Sequence, residues 1–460
     1  MVLFYAAALI TFCAFVGAGV LAGRGTSSSR DFSLGGRKSS AAGVTGILLG
    51  ALVGGASTVG TVQMAYSCGI TAWWFTLGGG IGCLILGLRF AAPLRAAGIT
   101  TVSDYLIDSY GGGNSFFGRG VYYTATVSAT LGTFISVGAQ FLACIALLSG
   151  LFPLSVGAAS ALTIFLVLGF IATGGLKSFS KLGEAKILLL YFVLLCCGVT
   201  AALRGGSWGA VTSALGFQPW FNLFGKGGGP ELGSLASMIV GVFTTQIYIQ
   251  SLAAAKDAAT ARKGAFASAL LMPPMGLLGV WVGLSVRARG VELPPAQVLS
   301  WFIRDSFPPL LGGVIWGGIV ITVIGCASGL VLGMSTNIVK NLLPQGFMER
   351  HASRSLSIQR IVVLLIVLAA AAFGMGGSGS MILEWSYLSM GLRGAGTFLP
   401  FVAAILAPGA LDGRWAFFSS VGGLAGTLAW AFAGFGGDPL FAGLAISAAC
   451  VIYGLRTRKR

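Results

Sequence analysis

The stretch GGASTVGTVQMAY, Gly54 to Tyr66, decides how this chain is read. It lies in an uncharged run that starts near Ala41, and a run of about 20 apolar residues is long enough to cross a bilayer as a helix. Yet its middle holds Gly54, Gly55, Ser57, Thr58, Gly60 and Thr61, which loosen a helix and place hydroxyls in it. Unwound backbone at that depth persists only where it is buried in protein or lines a water-filled cavity. Close packing is one explanation, because GILLGALVG (46–54) carries small residues four apart, the spacing at which helices approach closely. A second run favours a deliberate break. VGVFTTQ (240–246), five helices later, has Gly241, Thr244 and Thr245 at similar depth. Glycine-interrupted spans in corresponding halves point to a transporter's binding site. Carbonyls and hydroxyls freed at both breaks are suited to a cation or a small solute.

Working outward, hydrophobic residues make up 56% of 460 and charged residues 9%, with a mean hydropathy of +0.90. A soluble chain of this length needs far more polar surface, so the composition describes an all-α polytopic membrane protein. Thirteen spans are expected, near 2–22, 41–66, 72–92, 121–150, 155–173, 185–203, 232–252, 265–285, 310–339, 359–377, 382–406, 415–434 and 439–455. With the N-terminus outside, 22 of the 28 lysines and arginines fall on the cytoplasmic side, 5 fall outside, and Arg393 lies within a span. That asymmetry is the positive-inside rule, so the net charge of +16 reflects topology and anionic lipid, not nucleic acid. The first run lacks a basic leader and is expected to be a retained helix. Segment 99–113 reads as an amphipathic helix on the inner membrane face, and 204–233 as a flexible outer cover. Eight scattered cysteines form neither a metal pair nor a disulfide framework.

Several motifs occur in a specific order: DFSLGGRKSS (31–40), GGASTVG, LRAAGITTVSDYLIDSYGG (94–112), GGLKSF (174–179), QIYIQSLAAAKDAATARKGA (246–265) and LVLGMSTNIVKNLL (330–343). Together they resemble the sodium:solute symporter family over nearly the whole chain. The resemblance implies a LeuT-type five-plus-five inverted repeat with broken first and sixth core helices. On that division 1–40 is an extra N-terminal helix and loop, 41–203 and 204–408 are the two repeats, and 409–460 adds two helices and a basic tail. It also implies a sodium ion between the first break, through the carbonyls of Ala56 and Val59, and the eighth core helix. There the ungapped equivalents are Thr322, Gly325 and Cys326, so the family's hydroxyl pair is missing. A three-residue slip would bring in Ser328. The family's Asp and Gln on the fifth core helix correspond to Gly183 and Lys186, with Glu184 alongside. These are candidates for coupling by a fixed ammonium or a proton, unless Lys186 snorkels to the interface.

For the solute, Gln63 falls where sugar-transporting members place an amide, although an interhelical bond is the alternative. Thr58 lies in the same break. Met238 and Gly241 stand where such members have a sugar-contacting Asn and a gate Tyr, which argues against a sugar. Trp73 and Trp74 are expected in an interfacial belt. Arg393 carries the sharpest signal, because an arginine deep in a span is a functional hypothesis by default and binds carboxylates bidentately. Glu384 is nine residues away, about 13.5 Å and half a turn out of phase on a continuous helix, so pairing requires a break around Gly391–Gly396.

The resulting expectation is sodium-coupled symport of a small organic anion or amino acid by alternating access. No organic cofactor is expected, the protein being a monomer or weak oligomer in a bacterial inner membrane with a cytoplasmic C-terminus. A proton-coupled or cation-independent carrier is the alternative. A transporter-like sensor is weaker, since no signalling domain precedes the terminal RTRKR. An enzyme is weaker still, as the one histidine, His351, lies in a loop.

Overall fold

In the computed structural model, residues 2–23, 37–98, 101–113, 115–171, 175–205 and 208–458 are described. The motif at 31–36 and Gly174 lie outside them. The helices that matter are α1 (Val2–Gly23), α2 (Ala41–Leu52), α3 (Thr61–Cys68), α4 (Trp74–Ile85), α5 (Val102–Ser109), α6 (Phe116–Leu151), α7 (Val156–Ile171) and α8 (Gly175–Gly205). They continue as α9 (Gly229–Thr244), α10 (Gln246–Ala253), α11 (Ala258–Ala288), α12 (Pro309–Asn337), α13 (Ser355–Gly376), α14 (Ile382–Ala395), α15 (Phe398–Leu406), α16 (Gly413–Ala433) and α17 (Pro439–Arg458). Each expected span coincides with one of these helices or with a broken pair. Among the described residues the only β pairing is an isolated bridge between Ser39 and Ala255.

Short polar residues start several of the helices. Ser40 accepts from the Gly43 amide, Ser115 from that of Gly118 and Asp257 from that of Thr260, each supplying an acceptor for a backbone donor that the first turn leaves open. Three spans are interrupted. After α2, Val53 is extended (φ −94°, ψ 108°), and the chain re-enters through a π turn, Ala56–Gly60. Between α9 and α10, Thr245 is extended (φ −79°, ψ 118°) and the axes bend by 48°. Between α14 and α15 the bend is 53°. The first two interruptions are the pair expected from the glycine-hydroxyl pattern.

Small residues set the packing around the breaks. A Cβ at Gly183 of α8 would lie 2.2 Å from the Gly46 carbonyl oxygen, so only glycine lets α8 reach the backbone of α2. Gly132 of α6 makes room in the same way, where a Cβ would meet Arg393 Cγ at 2.5 Å.

One expectation for the end of the bundle carrying the 204–233 loop needs correction. Its described residues 208–228 are pinned, not loose. Trp220 O accepts from the Ile70 amide at 2.8 Å, Leu223 O from Trp74 Nε1 at 2.7 Å, and Trp208 stacks on Trp281 with ring centroids 5.3 Å apart. The indole N–H groups of Trp73 and Trp74 both bond to backbone, Trp73 to Pro273 O at 2.9 Å. The expected amphipathic segment contains α5, opened by a capping box between Thr101 and Asp104 and held by the Lys340–Asp104 ion pair to the π turn Ile338–Leu342 that follows α12.

Candidate functional site

The first break leaves backbone carbonyls at the C-terminal end of α2 without helical donors. Side chains from three other helices supply donors. Lys186 of α8 donates from Nζ to Gly50 O at 2.6 Å and Val53 O at 2.8 Å. Cys326 of α12 donates its S–H to Ala51 O at 2.9 Å, and Tyr248 of α10 reaches the same oxygen at 3.5 Å. Within the break, Thr58 and Ser57 donate to Gly54 O, Thr61 donates to Ala56 O, and Gln140 of α6 accepts from the Gly55 amide at 2.6 Å.

The residues that the resemblance assigns to sodium fit it poorly here. Ala56 O is already bonded by Thr61, Thr322 donates to Gly318 O in its own helix, Gly325 has no side chain, and Cys326 is turned to Ala51. Ser328 alone offers a buried, unpartnered hydroxyl. Val59 is buried in the π turn. Lys186 does not snorkel, being 2% exposed, whereas Glu184 two residues earlier is half-buried.

The second centre joins α9, α10 and α14. Arg393, 0% exposed, donates from Nη1 to Thr245 Oγ1 at 2.6 Å and from Nη2 to Ser389 Oγ at 2.9 Å, with Met390 Sδ 3.4 Å from Nη1. Thr245 donates its own hydroxyl hydrogen bond to Gly241 O, and Thr244 donates to Val240 O. The Arg393 Nε–H is buried without a partner. Pairing with Glu384 does not occur, because α14 stays continuous from Ile382 to Ala395 and bends only afterwards, at Gly396–Thr397. Glu384 instead lines a cavity of about 780 Å³ with Met64, Glu231, Ser234, Tyr387 and Asp438. Tyr387, whose hydroxyl has no partner, lies between that cavity and Arg393 on α14.

Gln63 clamps helices together: Nε2 donates to Ser380 O and Oε1 accepts from the Ile382 amide, both at 3.1 Å. Its amide thus holds the start of α14, the interhelical alternative. Met238 and Gly241 pack closely, Met238 against the Gly78 position and Gly241 against Met390. Gln140, Tyr248, Ser389 and Ser128, whose hydroxyl bonds to Leu392 O at 2.7 Å, were not singled out from the sequence. A lone polar residue mid-span, such as Gln140, was the available signal.

The model of the sodium:solute symporter family matches residues 32–408. The chain belongs to that family. This membership identifies it as a multi-pass membrane protein and a secondary transporter of the sodium-coupled symport class. No curated protein matches it. Among solved structures, it is similar to the substrate-bound, outward-open state of a Na+-coupled sialic acid symporter, with TM-score 0.81, 15% identity, and coverage of 99% of this chain and 98% of that one. A second likeness is to a nucleobase-cation-symport-1 family transporter in a closed conformation with bromovinylhydantoin bound, with TM-score 0.52, 14% identity, and coverage of 93% and 95%. These likenesses establish the shared LeuT-type fold.

Proposed function

We propose that this symporter carries a small organic anion whose carboxylate pairs with Arg393. One observation supports the reading above the others: a wholly enclosed guanidinium at the second break with hydroxyl and thioether partners, one N–H unpartnered, and no ion pair to an acid among the described residues. An arginine at the bilayer centre costs about 2.5–3.5 kcal/mol on insertion scales, more by other estimates, which an anionic solute offsets. Lys186, Glu231 and Arg393 are the enclosed charged residues among those described. Glu231 caps the outer start of α9 through the Lys226 and Gly228 amides. The middle of the protein is therefore positive.

The 780 Å³ cavity serves as the approach from outside, with the N-terminus outside and the C-terminus in the cytoplasm of a bacterial inner membrane. Access alternates as α10 and α15 swing about Thr245 and Gly396. Replacing Arg393 by Ala abolishes uptake of small carboxylates into cells while surface expression is retained. Unchanged carboxylate uptake by that variant refutes the reading.

A further inference from the structure

The cavity of about 780 Å³ at the starts of α9, α14 and α17 has the size of a small-molecule site, about 300–1,000 Å³. Its charged lining is three carboxylates, Glu231, Glu384 and Asp438, against one lysine, Lys226. Each carboxylate stands at the start of a different helix. Glu231 is fixed, because its two oxygens accept from the backbone amides of Lys226 at 2.6 Å and Gly228 at 3.0 Å. Asp438 accepts from the Leu440 amide at 2.9 Å. Gly233 sets it against α9, since a Cβ there would lie 2.5 Å from Asp438 Oδ2. Glu384, in the first turn of α14, is exposed and makes no ion pair among the described residues.

A second feature of the wall points to a ligand. Tyr387 of α14 lines the same cavity and is 8% exposed, and its hydroxyl has no hydrogen-bond partner, although it stands beside Ser234, another lining residue. Buried polar groups are ordinarily bonded, so an open hydroxyl on a cavity wall suits a polar group of a bound molecule. Leu388 and Phe441, both exposed, add apolar surface to the lining, and an aromatic face attracts a cation. No cluster of three acidic, histidine or cysteine side chains able to hold a metal ion occurs among the described residues, so the cation that suits this lining is organic. Arg393 is nine residues beyond Glu384, about 13.5 Å along the helix axis, too far for one small solute to touch both.

We propose that this cavity is a second solute site, selective for the ammonium group of a small organic amine. Glu384 and Asp438 supply the negative charge, the Tyr387 oxygen accepts an N–H, and Leu388 and Phe441 cover the apolar body. Charge-assisted hydrogen bonds of this kind are the strong ones, and a cleft of one sign concentrates ions of the other. The same charge does not retain a carboxylate, which leaves the passage toward Arg393 open.

Two probes of the same shape test the site: phenethylammonium and the uncharged 2-phenylethanol. Their binding to the purified full chain is measured by isothermal titration calorimetry at pH 7, for wild type, Glu384→Gln, Asp438→Asn and Tyr387→Phe. The expected result is that wild type binds the amine at least tenfold more tightly than the alcohol. Glu384→Gln and Asp438→Asn each reduce that preference at least threefold, and Tyr387→Phe weakens the amine at least threefold. Equal affinity for the two probes in wild type overturns the proposal, as does an absence of amine binding. An undiminished preference in folded Glu384→Gln also overturns it, and so does unchanged amine affinity in folded Tyr387→Phe. Position 384 is exposed, so Glu384→Gln decides alone if the other variants do not fold. None of these outcomes bears on the pairing of a carboxylate with Arg393.

Discussion

Replacing Gly183 by Ala tests how the first break is built. The new Cβ would stand 2.2 Å from the Gly46 oxygen and 2.5 Å from its carbon, where real Cβ contacts stay beyond 3.0 Å. Both obstacles are backbone, so α8 must retreat from α2 by at least 0.8 Å, the difference between 3.0 and 2.2 Å. If that retreat carries Lys186 with it, its bonds of 2.6 and 2.8 Å lengthen to about 3.4 and 3.6 Å, at and past the limit of a hydrogen bond. Forcing extra volume into a packed core costs about 1–3 kcal/mol, and losing one hydrogen bond to a charged group costs about 1.5–3 kcal/mol. The sum is roughly 2.5–6 kcal/mol, a large part of the net stability of an ordinary domain. The assay is thermal unfolding of the purified protein followed by tryptophan fluorescence. Gly169→Ala on α7 serves as the control, since its Cβ would meet nothing within 4 Å. Gly183→Ala melts well below wild type, and Gly169→Ala does not. If Gly183→Ala melts with wild type, α8 is not held by close contact with α2 and the account of Lys186 placement fails.

Three further outcomes follow from the same geometry. Gln63→Leu removes both bonds to the start of α14 and costs about 1–3 kcal/mol, read as a lower melting temperature. Asp104→Asn breaks the ion pair to Lys340, whose side chains are 23% and 42% exposed. Such a pair contributes about 0–1 kcal/mol, so the melt moves little, provided the amide oxygen preserves the cap on the Thr101 amide. Burial pushes the Asp438 carboxyl above its ordinary value, against the Leu440 amide bond that lowers it. The folded state then holds that proton to higher pH than the unfolded chain, so this group's contribution falls as pH rises from about 4 through its folded value. Asp438→Asn flattens that part of the melting profile, which a pH series of thermal melts reads directly.

The breaks could be read from sequence because glycine and hydroxyl residues in the middle of an apolar run have few purposes. The partners of the breaks were less legible. Gln140 and Tyr248 gain their roles only once α6 and α10 approach the unwound segment. Ser389 matters because it sits one turn before Arg393, and that spacing alone does not show which way the guanidinium turns. The Glu384 pairing depended on which glycine of Gly391, Gly394 and Gly396 would interrupt the helix. The interruption falls at the last of them, where Ser128 bonds to both the Leu392 carbonyl and the Gly396 amide. Lys186 looked like a helix-end residue because Lys177 and Lys181 moved the expected boundary inward to 185. α8 in fact begins at Gly175, which places Lys186 three turns inside it.

The central claim is that a positive interior selects an anionic solute through Arg393. The most direct measurement is a thermal-shift screen in which small carboxylates are compared with their uncharged amides, on wild type and on Arg393→Gln. A ligand that binds only the folded state adds about 2.7 kcal/mol at 100 times its Kd, enough to resolve. The account predicts that at least one carboxylate raises the wild-type melting temperature, that its amide does not, and that Arg393→Gln removes the rise. Equal stabilisation by the amide, or a carboxylate effect that survives in Arg393→Gln, contradicts it.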